Sequence, residues 1–196
     1  MPTPNYKQQT DHQIAAGPPG STLLLHSCCG PCSTAVLERL GEHFAVTAFF
    51  YNPNILPEEE YERRLEAQKT VIERLTTCYP ITLRTAPYDP AQFRAIAAGM
   101  ERAPEGGTRC ARCFRFRLEE TARLAKAENF DFFTTTLSVS PRKDARVLNE
   151  IGTAVSAAHG VPYLIADFKK DGGHPRSVEL AKAFGIYRQN YCGCTP

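Results

Sequence analysis

Seven of the eight cysteines lie in three tight clusters, Cys28-Cys29-Gly30-Pro31-Cys32, Cys110-Ala111-Arg112-Cys113 and Cys192-Gly193-Cys194, and Cys78 stands apart. Thiolates chelate soft metals, and short spacing lowers the entropy cost of gathering them. Gly30 and Pro31 turn the chain so that Cys32 can return to the locus of Cys28 and Cys29. Adjacent side chains of an extended segment point apart, so Cys28 and Cys29 are expected to face two different centres. Cys110 and Cys113 open a predicted helix, whose dipole stabilises thiolates. Cys192 and Cys194 suit either metal binding or a strained, reducible disulfide. A cysteine with no partner in sequence packs as a small hydrophobe, which is the reading for Cys78. Iron–sulfur or zinc chemistry is therefore the first expectation, on condition that the fold brings the clusters to one place.

The residues around these thiols suit an anionic, base-bearing partner. Arg112, Arg115, Arg117 and Arg123 flank the second cluster. The segment Thr134–Lys143 offers hydroxyls, a predicted helix start and the cations Arg142 and Lys143. Lys169, Lys170 and Arg176 form a further basic loop. Residues 1–108 carry 9 Lys+Arg against 12 Asp+Glu, whereas residues 109–196 carry 14 against 9, so the C-terminal half is the basic one. Phe114, Phe116, Tyr51 and Phe168 can stack an unpaired base or fill the core. The candidate substrate-binding residues are Tyr51, Asn52, Arg142, Lys143, Lys169 and Arg176. His26, Tyr51 and Asp167 are the candidate proton donors, with His26 favoured by its place beside the first cluster.

These residues need elements to hold them. The apolar run Thr22–His26 predicts a buried strand, followed by a helix over Ser33–Leu40. Phe44–Tyr51 predicts a second strand, closed by the turn Asn52-Pro53-Asn54. Pro57 with Glu58, Glu59 and Glu60 opens a helix to about Leu75. Strands are further predicted over Ile81–Arg84, Asp131–Thr136 and Tyr163–Ala166. Helices are predicted over Pro90–Met100, from Cys110 to about Glu128, over Pro141–His159 and over Pro175–Phe184. Alternating strands and helices imply an α/β fold with three layers and a mostly parallel sheet, in which ligands bind at the strand C-termini. No G-x-G-x-x-G or GxxxxGK[ST] signature occurs.

Hydrophobic content of 42% and charged content of 22% are those of an ordinary globular protein. No apolar run approaches the roughly 20 residues of a membrane span. The first 20 residues are polar and rich in Pro and Gly and lack an apolar signal core, so residues 1–20 read as a disordered extension before a single domain at 21–196. The thiols then belong to a reducing, cytoplasmic compartment, where such patterns mean metal or redox chemistry.

At this point the sequence resembles one family. HSCCGPCS, FFYNPNI with the following P-x-x-E-Y-x-x-R, RCARCFRFRLEETA, FTTTLSVSPRKD and DFKKDGGHPRSVELAKAFGIYRQNYCGC occur in order over residues 22–194. They are similar to the cobalamin-independent epoxyqueuosine reductase (QueH) family. The resemblance implies a Rossmann-like (HUP-like) fold and an oxidoreductase that removes the epoxide oxygen of epoxyqueuosine at the wobble position of tRNA. This is the last step of queuosine biosynthesis, and it takes two electrons from an external donor. It further implies a [4Fe-4S] cluster and an additional mononuclear iron held partly by cysteines.

Four cysteines complete a cubane cluster, and three remain. On a two-iron arrangement the cluster takes Cys110, Cys113, one of Cys28 and Cys29, and one of Cys192 and Cys194, leaving the others, Cys32 among them, for the second iron. On the other arrangement it takes Cys28, Cys29, Cys110 and Cys113, and Cys192 with Cys194 forms a redox-active disulfide. Two readings from other classes stand beside these: a closed zinc site in an RNA-binding protein, and a thiol oxidoreductase acting through CxxC exchange.

Overall fold

The computed structural model describes residues 4–194. Strand β1 (Thr22–His26) is central, because its three leucines are apolar on both faces and no edge strand could bury them. It pairs in parallel with β2 (Ala45–Phe50), setting Leu23 against Val46, and with β4 (Phe132–Thr135), setting His26 against Thr135. Strand β3 (Ile81–Thr85) pairs in parallel outside β2, which gives the order β3-β2-β1-β4.

Helices cover both faces. Leu23 and Leu25 pack on Val36, Leu37 and Leu40 of α2 (Gly30–Leu40), a layer shared with Val71 of α3 (Glu58–Arg74). Leu24 faces the other way, towards Leu118 of α5 (Thr108–Ala127) and Leu148 of α6 (Ala145–His159). Full burial of each such leucine contributes about 2 kcal/mol. Helix α4 (Pro90–Ala97) abuts the start of α5, and α7 (Gly173–Ala183) lies against α2. The result is a three-layer, Rossmann-like α/β fold with an all-parallel sheet. Among the described residues no helix is long and apolar enough to cross a membrane.

Two expectations are corrected. Residues 1–20 are predicted as a disordered extension, yet Tyr6–Ala16 forms helix α1. Its Thr10 hydroxyl donates to the Ile165 carbonyl at 2.7 Å. Gln13 grips the same segment twice, donating to the Tyr163 carbonyl at 3.0 Å and accepting from the Ile165 N–H at 2.9 Å. This grip also explains why Tyr163–Ala166 is not a fifth strand. Only a single bridge joins Phe133 to Tyr163. The Ala166 backbone is taken on both sides by the Asn149 side chain, at 3.1 and 3.2 Å. Amide side chains satisfy the groups that a ladder would have used.

Helix α6, predicted from Pro141, also starts later than expected. Thr136–Val139 forms a short 3-10 turn, and α6 begins only at Ala145, capped by Asp144. The strand ends of β1 and β4, being neighbours, deliver Cys28 and Thr136 to the same edge of the sheet.

Candidate metal centre

The chain bends at Cys28 and enters α2 through Cys29, its N-cap. Gly30 is required here, because a Cβ would lie 2.6 Å from the Ala67 carbonyl of α3. This close approach draws the first cluster inward. The sulfurs of Cys28, Cys29 and Cys32 all lie within 4.8 Å of one another, and those of Cys28 and Cys29 are 3.8 Å apart. The expectation that Cys28 and Cys29 face separate centres is thus corrected: the bend removes the extended geometry that would have parted them. The Thr136 hydroxyl donates to Cys28 Sγ at 3.4 Å and accepts the Cys28 N–H at 3.2 Å. The Cys29 and Cys32 thiols, then Thr136, hold the Cys28 thiol well below its usual pKa, and the same hydrogen bonds push Cys32 up.

Cys110 and Cys113 occupy the first turns of α5 and are both buried. The Gly106 N–H donates to Cys110 Sγ at 3.2 Å. Cys110 belongs to the apolar cluster on which Cys28 packs, and Cys113 packs with Phe93, Ala97 and Cys194.

The C-terminal pair is held by α3. Arg64 Nη1 donates to the Cys192 carbonyl at 2.8 Å, while its Nε is paired with Glu60 at 2.6 Å. The Tyr187 hydroxyl donates to Glu60 at 3.0 Å, and Arg64 lies 5.1 Å from the Tyr191 ring. The Leu56 N–H donates to the Gly193 carbonyl at 2.8 Å. Gly193 has φ +90°, and a Cβ there would meet the Arg64 guanidinium at 3.0 Å. Lys143, paired with Glu105 at 2.9 Å, reaches to 3.7 Å from Cys192 Sγ. The Cys194 thiol, then Lys143 and Arg117, lower the Cys192 pKa to about 5.

The three clusters therefore converge. Cys28, Cys29, Cys32 and Cys192 line one cleft of about 480 Å³, Cys28 also packs against the apolar cluster that holds Cys110, and Cys194 packs against the one that holds Cys113. All eight cysteines are free thiols, and Cys78, expected to pack as a small hydrophobe, is instead exposed and donates its S–H to Glu42 at 2.9 Å. Asn52, Arg142 and Lys143 also line the cleft.

Five expected site residues do not. His26 is fully buried: its Nε2 lies 3.1 Å from the Tyr51 carbonyl and its Nδ1 2.9 Å from the Thr135 hydroxyl. Burial, then the Arg117 charge, push its pKa down to about 3, so it is a neutral core histidine without a free proton. The Tyr51 hydroxyl donates to Gln92. Lys169 is paired with Asp167 at 2.7 Å, which removes both from the cleft. Arg176 is paired with Glu38 and Glu179.

Sequence reasoning missed Arg64, Glu105 and the role of Arg117. Arg117 follows Cys113 by four residues and so shares its helix face, which was the available signal. It is 2% exposed, and its contacts are the Cys113 carbonyl and Asn52 Oδ1, each at 3.3 Å. Among the described residues no carboxylate pairs with it. A buried cation facing thiols in this way fits a centre that is itself anionic. The thiol donors, with Cys28, Cys29 and Cys32 within 4.8 Å of one another, fit a soft metal group such as an iron–sulfur cluster.

A family model described as "Epoxyqueuosine reductase QueH" matches residues 23–195. Similar proteins of that name occur in Staphylococcus epidermidis (41% identical over 176 residues, 88% of this chain and 74% of that protein). Others are found in Streptococcus pyogenes (39% over 175 residues, 88% and 69%) and Thermotoga maritima (37% over 177 residues, 88% of each).

Proposed function

This chain belongs to the epoxyqueuosine reductase QueH family, and from that membership we propose that the cysteine-lined cleft reduces epoxyqueuosine in tRNA to queuosine through an iron–sulfur centre. The observation that carries the reading is that Cys28, Cys29, Cys32 and Cys192, from two distant segments, line one cleft, while Cys194 packs against the cluster that holds Cys113 of the third. Cys110 and Cys113 would hold a [4Fe-4S] cluster either with one of Cys28 and Cys29 and one of Cys192 and Cys194, the remaining thiols taking an additional iron, or with Cys28 and Cys29, leaving Cys192 and Cys194 to form a redox-active disulfide. Bound there, such a group passes electrons singly, and an open iron site acts as a Lewis acid towards oxygen.

The reaction consumes two electrons from an external donor and two protons, breaks both C–O bonds of the epoxide, forms a carbon–carbon double bond and releases water. The chain's own residues bind and orient. Arg142, exposed at the rim and only loosely paired with Glu105 at 3.6 Å, offers a cation for phosphate, whereas the buried Asn52 amide is already taken by the Ser27 carbonyl and Arg117. Lys143, held by Glu105, supplies an ammonium towards which the departing oxygen develops charge. The apolar wall formed by Leu137, Val139 and Ile55 limits water around the reacting ring.

Purification without oxygen tests the centre itself. The reading expects brown protein, iron with acid-labile sulfide, and absorbance at about 400 nm. Colourless protein loaded with zinc would favour the closed zinc site instead.

A further inference from the structure

We propose that Arg117 is the fixed counter-charge of the thiol centre and sets how readily that centre accepts electrons. The inference rests on the iron–sulfur reading above and concerns a residue that acts on the centre without touching the substrate.

The contrast among the buried cations carries the argument. Arg64 is nearly inaccessible and is paired with Glu60. Lys143 is nearly inaccessible and is paired with Glu105. Arg117 is more deeply buried than either, at 2% exposure, yet both of its hydrogen-bond partners are neutral: the Cys113 carbonyl and the Asn52 side-chain oxygen. A guanidinium cannot shed its proton to escape burial. It persists in a low-dielectric interior only where an anion offsets it. Cys28 and Cys192 line the same cleft as Arg117, and Cys113 is one helical turn before it. Burial works against the Arg117 charge, and thiolates at Cys113, Cys192, Cys28 and Cys194, drawn from all three clusters, would favour it. Its field also reaches His26 and helps to hold that ring neutral.

An electron added to a thiolate-held centre makes that centre more negative. A buried cation at short range stabilises the reduced state more than the oxidised one, so its loss makes reduction harder. Arg117 is thus placed to raise the reduction potential of the centre towards its donor.

The test compares anaerobically loaded wild-type protein with Arg117→Met, Arg117→Lys and Asn52→Asp. Iron per chain and midpoint potential are measured by equilibrium redox titration. Asn52→Asp keeps the shape of the site and sets a carboxylate against the guanidinium, so it neutralises the charge without removing the residue and serves if Arg117→Met fails to fold. The expected result is a negative shift of the midpoint in Arg117→Met and Asn52→Asp, with Arg117→Lys close to wild type. A midpoint unchanged in iron-loaded Asn52→Asp overturns the inference, as does an Arg117→Lys shift as large as that of Arg117→Met. Wild-type protein that takes up no iron would overturn the iron–sulfur reading itself.

Discussion

Each cysteine cluster is held by a different kind of contact, and this separates the effects expected of single substitutions. Cys110 and Cys113 are fixed by the first turns of a 20-residue helix. On the iron–sulfur reading their replacement by Ala removes proposed cluster ligands, so iron content should fall to near background in both variants. Cys78→Ala should keep full iron, because Cys78 is exposed and bonded only to Glu42. Equal loss in all three variants, read by iron assay, would contradict the assignment.

His26 gives a pH dependence in the metal-free chain. Its ring stays neutral when folded down to about pH 3, whereas the free imidazole titrates near 6.5. Below that value the unfolded state binds the extra proton, so stability is fully present above about pH 6.5 and is lost as pH falls towards 3. The slope is at most about 1.4 kcal/mol per pH unit. His26→Gln should remove this slope, and urea unfolding at pH 7 and pH 5 reads it. Identical slopes in both proteins would mean that His26 is not buried as a neutral ring.

The elements show where the sequence was legible and where it was not. Strand β1 and helix α3 follow from continuous apolar runs and from Pro57 with its acidic first turn, and they appear close to their predicted bounds. The segment Tyr163–Ala166 has the same apolar character, but its backbone partners are the side chains of Gln13 and Asn149, distant in sequence. Hydrophobic pattern does not encode such a choice. Helix α1 was equally hidden, since its sequence is mostly polar and its hold on the fold lies chiefly in the hydrogen bonds of Thr10 and Gln13. Gln13→Ala should cost about 1–3 kcal/mol by leaving the Ile165 N–H and Tyr163 carbonyl without partners. Hydrogen exchange at Ile165 should rise with it. No change in either quantity would restore the picture of a disordered extension.

At the site, clustering of thiols was readable from spacing alone, and so was their position at strand and helix ends. The proton donors were not. His26 and Asp167 sit beside strand ends in sequence, but their polar atoms are consumed by Tyr51, Thr135 and Lys169. Hydrogen-bond saturation is a property of the packed chain. Arg176 and Lys169 likewise looked available as cations until the fold paired them with carboxylates.

For the whole molecule, the cleft is the meeting point of a thiol centre and a cationic rim. tRNA binding should weaken with salt, each phosphate contact adding about 0.7–0.9 to the negative slope of log K against log salt. Arg142→Ala should reduce that slope by about one such contact and leave iron unchanged. An Arg142→Ala slope equal to that of wild type would place the phosphates elsewhere.

The most direct measurement is nucleoside analysis by mass spectrometry of epoxyqueuosine-bearing tRNA, digested after incubation with the reduced, iron-loaded protein. Loss of one oxygen predicts a modified nucleoside lighter by about 16 mass units. The product should appear with wild-type protein and be absent after iron removal. Persistence of the epoxide nucleoside in the presence of reduced, iron-loaded protein would contradict the account.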